Sequence, residues 1–169
     1  MFAQDILKCG ALGQGALMAA PFLGALGMSF WLAHRPVLPR PGRAMLLSVA
    51  GFGICTLAFG LSRSMLLSLV ALGLAGMLDQ ISVYVRQTMV QLRTPGALMG
   101  RVQAVNFLFI GSSNQLGEFE SGVTASLMGP VGSVLLGGFA ALIVVALAGA
   151  AFPALRNLTS LSGTPQGPA

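Results

Sequence analysis

The chain has 169 residues, of which 55% are hydrophobic and only 8% charged. Its mean hydropathy is +0.84. An ordinary soluble domain carries about 25% charged residues, so a water-soluble fold is not expected. A formal net charge of +5 raises the question of nucleic acid. The nine Lys and Arg residues are spread thinly between apolar runs and never form a stripe, so no nucleic acid is expected. Cys9 and Cys55 are too few and too far apart for a metal site, and the one His, His34, adds none. No cofactor is expected.

Transmembrane strands need alternating apolar and polar residues, whereas runs such as Val134 to Leu147 are apolar on every face. Helices are the reading. Each needs about 20 mostly apolar residues to cross the bilayer, which leaves room for at most about six spans. The N-terminus carries Asp5 and Lys8 ahead of an apolar stretch and lacks a basic region followed by a small-residue cleavage site, so no cleaved signal peptide is expected.

In chain order, the first predicted span covers Ala11 to Ala33. The loop HRPVLPRPGR closes it, because Pro36, Pro39 and Pro41 forbid helix continuation. The second covers Ala44 to Leu61. The short connection Ser62, Arg63, Ser64 leads to a third from Met65 to about Val85, and so short a loop makes antiparallel neighbours. A polar segment, RQTMVQLRTPGALMGR, precedes a fourth span from about Val102 to Leu127. Gly129-Pro130 then turns the chain into a fifth that ends near Phe152. The predicted fold is an all-α polytopic membrane bundle of about five helices over residues 1–157, followed by a disordered cytoplasmic tail at 158–169.

Alternate loops fall on alternate sides of the membrane. Arg35, Arg40, Arg43, Arg86, Arg93, Arg101 and Arg156 therefore share one side, against Lys8 and Arg63 on the other. The positive-inside rule puts the arginine-rich side in the cytoplasm and Met1 outside. An odd bundle that starts outside without a signal sequence is awkward to insert alone, so further spans are expected upstream.

Ionisable groups inside a span are expensive and point to function. Asp79 lies toward the middle of the third span, with Ser82 at i+3 and Arg86 at i+7 on the same face. The face reads either as proton or substrate coupling or as a structural lock. Gln80, Gln87 and Gln91 occupy an adjacent face, as cavity lining or as helix-to-helix hydrogen bonding. The fourth span holds the densest polar patch: Asn106, Ser112, Ser113, Asn114, Gln115, Glu118, Glu120 and Ser121. Asn106, Ser113 and Glu120 repeat every seven residues on one face, while Asn114, Glu118 and Ser121 share another. Glu118 and Glu120 are about 200° apart around the helix, so they serve different surfaces. A buried carboxylate there would have its pKa raised and could carry a proton, with Glu118 favoured for the cavity. Alternatively, both lie near the wet outer end of a long helix. Gly15 with Ala19, Ala20 with Gly24 and Ala71 with Ala75 are small pairs four apart that let helices approach closely. Trp31 reads as an interface anchor. No nucleophile with its base and no phosphate-binding loop is present, so an enzyme is not expected.

The connection Thr94, Pro95, Gly96, Ala97, Leu98, Met99, Gly100, Arg101, Val102 resembles the loop between the tenth and eleventh helices of major facilitator superfamily transporters, where a Pro opens the loop and a Gly-Arg pair starts the next helix. The stretch from Gly27 through His34 and Arg35 to Gly42 and Arg43 resembles a degraded copy of that superfamily's Gly/Asp/Arg-rich loop signature, with His34 where an Asp would stand. QISVYVRQTMVQLRTP and NFLFIGSSNQLGEFESG together are similar to the transmembrane secretion effector branch, which contains enterobactin-type siderophore exporters. The resemblance runs from FAQDIL to FPALRNL and maps the chain onto the end of the seventh through the twelfth helix. It implies part of the C-terminal half of a proton-driven exporter of small molecules such as siderophores or drugs. The bilayer, a substrate and an N-terminal half would be its partners. The opposing expectation is a non-transporting scaffold whose polar residues only knit helices together.

Overall fold

A computed structural model describes residues 11–34 and 41–151. The expectations at Lys8, Cys9, Arg35, Arg40, Phe152 and Arg156, and for the 158–169 tail, lie outside the described residues. Apart from short connections, what is described is helix: α1 (Ala11–Ala33), α2 (Pro41–Leu61), α3 (Met65–Arg93), a single 3-10 turn (Gly96–Leu98) and α4 (Met99–Ala151). All four helices are long and apolar enough to cross a membrane. The all-α, multi-pass membrane architecture expected from composition is what the chain forms.

Element boundaries shift for local reasons. α2 begins at Pro41, ahead of the expected Ala44. Proline suits the first helical turn, whose N–H groups have no intrahelical partner. α3 runs to Arg93, well past Val85, because RQTMVQLR is polar yet built largely of good helix formers. Thr94 ends it in an extended conformation ahead of Pro95. α4 starts at Met99, three residues before the expected Val102.

α4 has 53 residues, about 80 Å of helix, more than twice a hydrocarbon core of about 30 Å. It is not straight. Gly129 has φ 78° and ψ 167°, a conformation essentially reserved for glycine. Pro130 follows, so the chain folds back there as the sequence led one to expect. Hydrogen bonds prove the reversal. Thr124 Oγ1 meets Ser133 Oγ at 2.8 Å, and the Ser133 hydroxyl donates to the Ser121 carbonyl at 3.1 Å. In a continuous helix residues 121 and 133 would stand about 18 Å apart. Residues 99–128 and 130–151 are therefore two arms of a helical hairpin, which makes five long helical segments among the described residues.

The helices pack in the order α1, α3, α2, α4. α3 buries Ser68, Ala71, Ala75, Ser82 and Val85, one face of almost entirely small residues. Between helices surrounded by lipid no hydrophobic gradient drives association, so close backbone approach must do it. At the α1–α3 crossing a Cβ on Gly24 would strike the Gly73 carbonyl, and one on Gly76 would strike the Pro21 backbone. At the α2–α4 crossing a Cβ on Gly53 would come within 3.2 Å of the Gly138 carbonyl oxygen, and one on Gly138 within 3.3 Å of the Gly53 carbonyl oxygen. A Cβ on Gly60 would meet Val134 and Leu135, so the second arm runs antiparallel to α2. The pairs Ala20/Gly24 and Ala71/Ala75 pack as expected, but Gly15 faces open space.

Hydroxyls in the helices satisfy themselves locally: Ser29, Ser48 and Thr56 each donate to the carbonyl four residues back, as Thr94 does just past the end of α3. The α2–α3 connection is held the same way. Ser62 Oγ donates to the Ser64 carbonyl and accepts from the Ser64 N–H and from the fully buried Ser68 hydroxyl. Large apolar side chains such as Phe22, Leu26, Phe30 and Leu66 point outward, 69–76% exposed, which suits a lipid solvent.

Candidate transport site

Among the described residues no group of three His, Cys, Asp or Glu could hold a metal ion. The polar side chains divide between two places, the middle of α3 and the first arm of α4.

On α3, Asp79 follows buried Ala75 by four residues and precedes buried Ser82 by three, yet is itself exposed. The face that packs above and below it opens where the carboxylate sits. From Met65, Asp79 is about 21 Å along the helix axis and Arg86 about 32 Å. With Met65 at one edge of a core about 30 Å thick, Asp79 is inside it and Arg86 has reached the opposite edge. Arg86 is also exposed, and among the described residues neither of the two has an ion-pair partner. Sharing a face two turns apart is thus not the same as forming a lock. Gln80 and Gln87 are half-buried and Gln91 is exposed.

The first arm of α4 stands away from the bundle. Every residue from 111 to 122 is exposed, including Asn114, Gln115, Glu118 and Glu120, interleaved with Leu116 and Phe119 at 68% and 70%. Glu118 lies about 16 Å along the helix from the Gly129 turn and about 26 Å from Arg101, and Glu120 one small step nearer the turn. Both are therefore well inside the arm. Unpaired carboxylates at such depth are costly in hydrocarbon and call for water or a polar surface opposite them. Nearer the basic end, Gln103 Oε1 and Asn106 Nδ2 are buried with no hydrogen-bond partner among the described residues. They are one turn apart on a single face. Gln103 was not singled out in the sequence, although its i+3 relation to Asn106 is a signal that could have found it.

The 3-10 turn places the connection motif, with Gly100 and Arg101 exposed at the start of α4. Arg43 sits exposed in the first turn of α2, at the same end of the bundle. The hydroxyl cluster of Ser121, Thr124 and Ser133 was likewise missed, since separations of nine and twelve residues match no helical repeat. Thr124 also donates toward the carbonyls of Glu120 and Ser121. The cluster thereby braces the turn of helix that carries Glu120. What these groups can do chemically is hold a proton or offer hydrogen bonds inside the membrane.

Over 133 residues, 77% of its length, the chain is 36% identical to the enterobactin exporter EntS of Escherichia coli O1:K1 / APEC, and the match covers 31% of that protein. The identity to the enterobactin exporter EntS of Shigella flexneri is also 36% over 133 residues, covering 32% of it. The chain thus spans about a third of the length of the curated relatives it matches. No family model matches the chain, and no solved structure does.

Proposed function

We propose that this chain, a relative of the enterobactin exporters of the major facilitator superfamily, forms part of a proton-coupled exporter of a siderophore-like small molecule in the bacterial inner membrane. It is a transporter segment in this reading, not an enzyme. The observation that carries it is the 36% identity over 133 residues to exporters whose named substrate is enterobactin. The arrangement of polar groups supports it. Glu118 is the first candidate for the proton site, Asp79 the second, and Glu120, Asn106, Asn114 and Gln115 present the remaining polar surface. Secondary transporters place such sites near the midplane at an interface between repeats. A second set of helices, the N-terminal half, would supply the opposite wall of that cavity. It would also bring polar partners to the first arm of α4, including Gln103 and Asn106.

The test is a chimera in which this chain replaces the matching segment of EntS in cells lacking their own exporter. Secreted siderophore should be restored. Glu118→Gln keeps side-chain size while removing titration, so the variant should still bind substrate but fail in proton-driven export, with Glu120→Gln affected less. A chimera that inserts, folds and exports nothing overturns the proposal. It would return the chain to the scaffold reading.

A further inference from the structure

α3 is longer than the membrane it crosses. Its 29 residues, Met65–Arg93, make about 43 Å of helix against a core of about 30 Å. The connection Ser62, Arg63, Ser64 marks one boundary. The excess therefore emerges at the other, where Arg86 and Arg93 sit seven residues apart, two turns along one face and about 10 Å from each other on the axis. Both are exposed, as is Arg101 at the start of α4, and among the described residues none of the three has a carboxylate partner. The described acids nearest in sequence do not answer them. Asp79 is about 10 Å further into the core than Arg86, and Glu118 is about 26 Å along α4 from Arg101. Two further features mark this end as the lipid–water boundary. Trp31, the chain's one tryptophan, is 51% exposed near the end of α1. Leu92, beside Arg93, is 57% exposed, so an apolar contact adjoins the charge.

We infer that Arg86 and Arg93 form a binding site for the phosphodiester headgroup of an acidic glycerophospholipid. Guanidinium matches phosphate geometry through paired N–H donors, and two such groups along one helix face can hold a headgroup. The ligand is a lipid rather than free phosphate because the cations stand where α3 leaves the hydrocarbon, and exposed Leu92 offers nothing to a small anion. The same residues would fix how far α3 protrudes. The inference rests on the membrane architecture alone, not on transport.

The test is competition between phosphatidylglycerol and phosphatidylcholine for the purified full chain in detergent, read as retained lipid by native mass spectrometry. Wild type should retain phosphatidylglycerol preferentially. Arg86→Gln/Arg93→Gln should reduce that preference by about fivefold per arginine removed. Arg86→Lys/Arg93→Lys should fall between the two, keeping the charge but losing the paired donors, which guards against a mere folding defect in the neutral pair. Arg63→Gln, at the opposite boundary, should leave it unchanged. The inference is overturned if wild type shows no preference, if Arg63→Gln loses as much as the double variant, or if inorganic phosphate displaces the lipid at equal concentration.

Discussion

Thr124 and Ser133 face each other across the Gly129 turn, hydroxyl to hydroxyl at 2.8 Å, with the Ser121 carbonyl accepting from Ser133 just beyond. That triangle turns a 53-residue helical run into a hairpin, and Gly129 is what permits it. Gly129→Ala should cost about 1–3 kcal/mol, because the backbone there is open only to glycine. Gly137→Ala, in helical conformation with open space around its Cβ position, should be neutral or slightly stabilising. Thermal unfolding of the two variants in detergent makes the comparison; equal midpoints would mean that the turn is not built on Gly129.

The α1–α3 crossing should tolerate no side chain at Gly24 or Gly76. A methyl at either position meets main-chain atoms of the facing helix, which cannot rotate aside. Gly24→Ala and Gly76→Ala should each destabilise by about 1–3 kcal/mol, the usual range for overpacking. Gly15→Ala on the same helix as Gly24 meets nothing and should not. Unfolding in a denaturing detergent titration separates them, and a silent Gly24→Ala would show that the helices stand further apart.

Asp79 and Arg86 give opposite outcomes for a lock and for a working site. Neither has an ion-pair partner among the described residues, so Asp79→Asn should leave stability within about 0.5 kcal/mol of wild type. In the chimera with the EntS segment replaced, the same substitution should reduce proton-driven export. A large stability loss with normal export per folded molecule would make Asp79 structural.

Orientation follows from the arginines. In a background without Cys9 and Cys55, cysteine introduced at Arg63 should react with an impermeant maleimide in intact cells, and cysteine at exposed Ala97 should react only after permeabilisation. The reverse pattern would invert the topology.

Most of the architecture was legible because the bilayer dictates it. A helix must hold about 20 apolar residues to cross, and that requirement located α1 and α2 within three residues and both arms of α4. Gly129-Pro130 was readable as a turn since both residues break helices in known ways. Hydropathy ended the third span at about Val85, whereas the helix runs on to Arg93 because the polar residues there favour helix. Which small residues touch was only partly readable, as Gly24 with open-faced Gly15 shows, because small spacing states that approach is possible and not which helix approaches. The candidate carboxylates were found from their cost in lipid. Their surroundings were not, since the helix that carries Glu118 and Glu120 meets little of this chain.

The leg of the Gly129 hairpin formed by residues 99–128 makes about 45 Å of helix, against a hydrocarbon core of about 30 Å. Tied at the turn, it cannot stand upright within one slab of hydrocarbon. It must lean, or its arginine-bearing foot must extend into the water. Each ångström of bilayer thickness shifts that compromise at a small energetic cost, so the tilt of the helix that carries Glu118 is set partly by the surrounding lipid. A thicker membrane straightens it and a thinner one lays it down, which makes bilayer thickness a variable acting on the depth of that carboxylate.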